Sequence, residues 1–312
     1  AMKRRAAERC SQGRARPETD PTLSVREARM TVDLRRPKPV TQLLEHPAVQ
    51  GGVAPFVVAL IVALLLGRTR YAWLAIVAGW ATSYALANGI SFSPLTASRK
   101  ILLLGLLAPA VGFVADTWFA RSRPVALALA VVAGIAAPWV FLSVLSQQEG
   151  GGAWVSALGV LAFAAAMVYA VVSLRDDPVR TGAAAVGLGV GIGVAAVLSA
   201  SIGFLLSGIA VAASAGALLL YWVVTSRPIA PGLLGTLTIG LLIALFAEGA
   251  LMLAQMPWFA LAASLLVPLA VRLPVNESAS TFARAFVLSL YALAASLVPI
   301  AAAWFAARGS VS

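Results

Sequence analysis

Between Gly182 and Val224 the chain runs for 43 residues without a charged side chain. In water such a stretch would need a covering layer of protein on every side. A bilayer core about 30 Å thick supplies that cover, and needs roughly 20 apolar residues per helix. The run is therefore too long for one span and suits two, joined near Ser199 to Ser201. The rest of the chain follows the same rule: 61% of the 312 residues are hydrophobic, 11% are charged and the mean hydropathy is +0.92. Soluble domains run about 45–50% apolar and about 25% charged, so a soluble globule is excluded.

Cutting the chain at charges, Pro and Gly predicts ten spans. They are 51–67, 71–90, 100–119, 124–145, 153–174, 181–200, 202–225, 232–254, 256–273 and 283–306. The expected fold is an all-α, polytopic membrane bundle of about ten helices, with a five-plus-five inverted repeat as its suggested plan. The expected domains are a disordered, basic tail over 1–46 and a transmembrane domain over 47–312. The tail holds 11 of the 23 Lys and Arg and 6 of the 12 Asp and Glu, with too few apolar residues to build a core. Met30 opens the more organised part of this tail and is the expected physiological start.

Trp73, Trp118, Trp154, Trp222, Trp258 and Trp304 lie near expected span ends, where the bilayer interfaces favour Trp. Trp80 and Trp139 lie further in and are expected to pack between helices. The odd-numbered loops carry Arg68, Arg70, Arg121, Arg123, Arg175, Arg180, Arg227 and Arg272, against Arg99 and Lys100 in the even-numbered ones. Positive charge marks the cytoplasmic side of short loops, which places both termini outside. The expected location is a bacterial inner membrane, with periplasmic termini.

Composition removes several chemistries. Haem, zinc, copper and iron–sulfur sites draw on imidazole and thiolate ligands, and the only His and Cys are His46 and Cys10, both ahead of the first span. No metal or cofactor is expected. No Ser–His pair occurs in the spans, and the expectation is that the protein is not an enzyme.

Two ionisable groups fall well inside expected spans, where they cost several kcal/mol unless a cavity or partner receives them. They are Asp116 and Glu248, each preceded by Ala and followed eight or nine residues later by Pro124 or Pro257. In a five-plus-five plan they occupy equivalent helices and approach the midplane from opposite sides, as sites do in repeat-built transporters. They are the candidate proton or substrate groups. The structural alternative for Glu248 is a hydrogen bond to Thr236, Thr238 or a group elsewhere, and for Asp116 an ion pair with Arg121 or Arg123.

Gly187, Gly189, Gly191 and Gly193 stand in two pairs four apart, giving two smooth faces for close helix packing. Their alternative role is a flexible, pathway-lining helix, with Ser199, Ser201 and Ser207 supplying hydroxyls. Asp176 and Asp177, before Pro178 and Arg180, read as a helix-capping loop with Asp–Arg pairing. Asn88, Pro94, Arg99 and Lys100 form a polar connection after the second span. The functional expectation is a secondary transporter or exporter of a small solute, with a proton carried by the intramembrane carboxyls. The alternative is a non-catalytic membrane scaffold or accessory subunit. Expected partners are the lipid bilayer and either a small solute or a membrane subunit, with no nucleic acid.

Overall fold

The computed structural model describes residues 46–90, 93–119, 122–148, 151–276 and 278–309. The tail over 1–45, with Cys10 and Met30, lies outside the described residues, as does Arg121. Among the described residues all regular structure is helical. We label the principal helices α1 (Val49–Leu66), α2 (Leu74–Asn88), α3 (Ala97–Trp118), α4 (Arg123–Val140), α5 (Gly152–Val172), α6 (Pro178–Leu198), α7 (Ile202–Thr225), α8 (Gly232–Ala254), α9 (Trp258–Ala270) and α10 (Thr281–Gly309). Each expected span is occupied by one of them. Eight are long and apolar enough to cross a membrane; α2 and α9 fall short of that length.

The breaks have local causes. Pro55 lacks an N–H donor, and the turn before it, Val49–Val53, widens to a π-helix. A 3₁₀ turn, Arg70–Trp73, leads into α2, with the Thr69 hydroxyl accepting from the Tyr71 N–H. The long uncharged run divides where expected. Ala200 takes a left-handed conformation at φ 64°, and α7 begins two residues later.

Packing centres on α8 and α6, whose most apolar stretches are 83% and 72% buried, against 22% for α1. Helix α8 packs on α3 and α5, while α7 packs on α1, α2 and α6. Helix α6 also packs on α10, α4 packs on α5, and α9 packs on α10. The glycines of α6 divide between two neighbours. A Cβ at Gly187 or Gly191 would press on Ala292 or Ser296 of α10, and one at Gly189 or Gly193 would meet Gly208 or Leu205 of α7. The closest approach is at Gly189, where a Cβ would lie 2.5 Å from the Gly208 carbonyl oxygen. We expect Gly189→Leu to destabilise the bundle by at least about 1–3 kcal/mol through overpacking, measured by thermal unfolding in detergent. Gly203→Leu, where a Cβ meets nothing, should leave the transition within about 0.5 kcal/mol of wild type.

Hydrogen bonds tie the loop ends into two sets. Trp73 Nε1 donates to the Ile229 carbonyl at 3.0 Å, and the Gly232 N–H donates to the Arg175 carbonyl at 3.2 Å. Arg180 Nη1 donates to the Val271 carbonyl at 2.9 Å, and Arg272 donates to the Ser173 hydroxyl. These bonds link the Arg-bearing loops α1–α2, α5–α6, α7–α8 and α9–α10. On the other set, Lys100 Nζ at the start of α3 donates to the Trp139 carbonyl near the end of α4, at 3.0 Å.

Two aromatic expectations are corrected. Trp73 and Trp222 are fully buried with ring centroids 5.0 Å apart, so they are core residues and not interface anchors. Trp139 is 43% exposed beside the Lys100 ammonium, 4.7 Å from the ring centroid, and does not pack between helices. Only Trp80 is enclosed as expected.

Candidate functional site

Asp116 lies in the last turn of α3, and its carboxylate meets the N-terminus of α8. Oδ1 accepts from the Leu233 N–H at 2.8 Å, and Oδ2 accepts from the N–H groups of Leu233 and Leu234 at 2.9 and 3.1 Å. The first N–H groups of a helix have no partner within it and carry the positive end of its dipole, so a carboxylate from another helix is a strong cap. Two glycines make room. Gly232 adopts φ +58°, and a Cβ there would collide with the Asp116 carboxylate. A Cβ on Gly112, one turn before Asp116, would lie 2.7 Å from the Leu233 carbonyl oxygen. Among the described residues no ion pair includes Asp116, so backbone capping takes the place of the expected pairing with Arg123, while Arg121 lies outside the described residues.

Glu248 has a different environment. It is fully buried in α8, and among the described residues neither carboxyl oxygen has a hydrogen-bond partner. Thr236 and Thr238 do not serve it: their hydroxyls donate back along α8 to the Gly232 and Leu234 carbonyls at 2.6 and 2.7 Å. At ten or more residues' distance along one helix, about 15 Å of rise puts both out of reach. Around the helix, Glu248 lies about 80° from Gly240 and about 100° from Gly249 at roughly 100° per residue. Gly240 abuts Val168 of α5 and Gly249 abuts the Phe204 ring of α7, so the carboxyl points between those two neighbours.

The two acids do not converge. Asp116 binds at Leu233 and Leu234, and Glu248 follows 14 residues later, about 21 Å along the helix axis. The expectation of paired carboxyls near the midplane is corrected accordingly: one is a helix cap at a bundle end, and the other stands alone inside.

Asp177 caps α6 as the loop pattern implies, accepting from the Val179 and Arg180 N–H groups at 3.0 and 3.1 Å. Its carboxylate also pairs with Arg180 at 3.1 Å and with Arg284 of α10 at 3.3 Å. We expect Asp177→Ala to cost about 1–2 kcal/mol, read from the thermal midpoint, chiefly through the lost cap. Asp177→Asn should recover more than half of that loss.

A cavity of about 240 Å³ opens at the end of the bundle away from the Arg-bearing loops. Its inner wall is Trp80, Phe246 and Ile101, all buried, and Phe204 closes one side. Trp80 lies 5.8 Å from Phe246 and 6.1 Å from Tyr84 between ring centroids. Tyr84, Asn88, Ser98, Ser201 and Ser207 bring polar groups to the same space. Phe246 and Leu253 turn about 140–160° away from Glu248, so the cavity and the carboxyl flank α8 on opposite faces at similar depth.

Ser201, Ser207 and Asn88 stand out in the sequence as polar features, yet no local pattern shows that α2, α3, α7 and α8 bring them together. The pairing of Arg284 with Asp177 was also missed, since Arg284 reads as a lone charge at a span end. Apolar spans joined by Arg-rich loops define a multi-pass helical membrane protein. Comparison of the chain with protein-family models gives no match, and comparison with curated proteins gives none.

Proposed function

We propose that the protein is a secondary transporter or exporter of a small solute, with Glu248 carrying the coupling proton. The observation that carries this reading is the Glu248 carboxyl itself, fully buried in the most enclosed helix with no hydrogen-bond partner among the described residues. Intramembrane carboxyls are costly and serve as proton relays in many pumps and transporters. A purely structural acid would be expected to have donors around it, as Asp116 has. Asp116 is accordingly a positioning residue in this reading, and the protein is not an enzyme.

The reading includes ten crossings. The bonds among the Arg-bearing loops support it, since they suit α2 and α9 running between the two ends despite their shorter length. With ten crossings, the Arg-rich end faces the cytoplasm and both termini face the other side, the periplasm of a bacterial inner membrane. The five-plus-five plan draws support from matched pairs, α1 on α2 with α6 on α7, and α4 on α5 with α9 on α10. It also draws on the packing of α3 on α8. The extensive α6–α10 packing has no α1–α5 counterpart of similar extent.

The test is solute-driven proton movement in pyranine-loaded proteoliposomes, using a panel of small amphipathic solutes. Wild type should move protons with at least one solute, and Glu248→Gln should cut that rate at least about tenfold. A wild type silent toward the whole panel, or an unchanged rate in the variant, would overturn the transport reading in favour of a scaffold.

A further inference from the structure

The cavity at the ends of α2, α3, α7 and α8 carries chemistry that the carboxyl does not explain. Among the described residues most of its polar groups have no hydrogen-bond partner. Hydrogen bonds occupy neither the Tyr84 hydroxyl nor the Asn88 amide, and the Ser98 and Ser201 hydroxyls are equally unengaged; Ser207 alone is committed, donating to the Gly203 carbonyl at 3.0 Å. At the inner wall, the fully buried Trp80 also keeps an indole N–H with no acceptor among the described residues. Buried polar groups are ordinarily satisfied, so the Trp80 N–H left open beside this space, with the exposed Asn88 and Ser98 and the half-buried Ser201 around its mouth, marks a place where a ligand can supply the partners.

The walls define the ligand's shape. Trp80, Tyr84 and Phe246 present ring faces and edges, which favour a planar ring in offset or edge-to-face contact. At about 240 Å³ the space lies just below the common range of roughly 300–1,000 Å³ for ligand sites, which suits a single ring.

The charges define its polarity. The lining contains no ionised side chain. Arg99 and Lys100 follow Ser98 at the rim and disfavour a cation there. Each donates to a backbone carbonyl, Arg99 to Pro94 at 2.5 Å and Lys100 to Trp139, and neither lines the cavity, so an anion inside it gains no direct ion pair.

We infer that this cavity binds a small, neutral, planar aromatic solute bearing hydrogen-bonding substituents. Calling that ligand the transported solute rests on the transport reading above; its binding does not.

Equilibrium binding separates the two. Benzamide serves as a neutral probe, with benzoate and benzylamine as anionic and cationic counterparts, titrated calorimetrically into the full chain in lipid nanodiscs. Benzamide should bind, and more tightly than either ion. Ser207→Trp should weaken it at least about tenfold by filling the cavity. Asn88→Ala, at the exposed rim, should weaken it about two- to tenfold, as loss of one hydrogen bond does. No benzamide binding, tighter binding of either ion, or wild-type affinity in both variants would overturn the assignment. Binding with the expected pattern in a protein that moves no protons would retain the site and remove the transport reading.

Discussion

Replacing Asp116 with Ala should lower the stability of the bundle by about 2–3 kcal/mol, the largest effect expected of any single polar deletion in the chain. Two backbone N–H groups of α8 lose a charged acceptor at once, and bonds to charged groups contribute about 1.5–3 kcal/mol each before water recovers part of the loss. Asp116→Asn keeps one acceptor oxygen and should lose about half as much. Gly232 supplies an internal check. Gly232→Ala combines a left-handed backbone, costing on the order of 1 kcal/mol, with a collision against the carboxylate. In an Asp116→Ala background only the backbone cost remains, so the two changes should be sub-additive in a double-mutant cycle. The measurement is the thermal midpoint in detergent for the four proteins. Full additivity would show that Asp116 does not hold the start of α8.

Glu248 should behave in the opposite sense. Because neither oxygen has a partner, Glu248→Leu removes an uncompensated polar group and should raise stability by about 1–3 kcal/mol. The same substitution should abolish coupled proton movement. A stability gain joined to loss of function is the signature of a group retained for activity, because functional sites commonly hold features that the fold alone would not keep. If Glu248→Leu instead destabilises the bundle by more than about 2 kcal/mol, the carboxyl is part of the packing and its role as a proton carrier fails.

These two acids mark the limit of what is legible in the sequence alone. Both stood out for the same reason, as lone charges within apolar runs, and hydropathy cannot distinguish them further. Their difference depends on what meets them from elsewhere. The partner of Asp116 is the beginning of a helix 117 residues later, a contact that no local pattern encodes. The segments themselves were legible because lipid imposes length: charges and prolines mark the breaks, and each expected span contains a helix. The small residues of α6 were legible as packing faces, yet their neighbours, α7 and α10, were not. Tryptophan was the poorest guide. Trp73 and Trp222 stand where interfacial anchors belong, but they pack on one another, since a ring near a helix end can turn inward as readily as outward.

The cap on α8 also bears on the order in which the protein is made. The ribosome completes α3, with Asp116 at its end, long before it reaches Leu233, and α5, α6 and α7 likewise precede the helix they enclose. The carboxylate is thus a receiver placed in advance at the bundle end, and the first turn of α8 is the piece that seats in it. Until α8 emerges, α3 and α5 lack the large surface on which both pack. A nascent chain halted after α7 should be far more sensitive to protease than one released after α8.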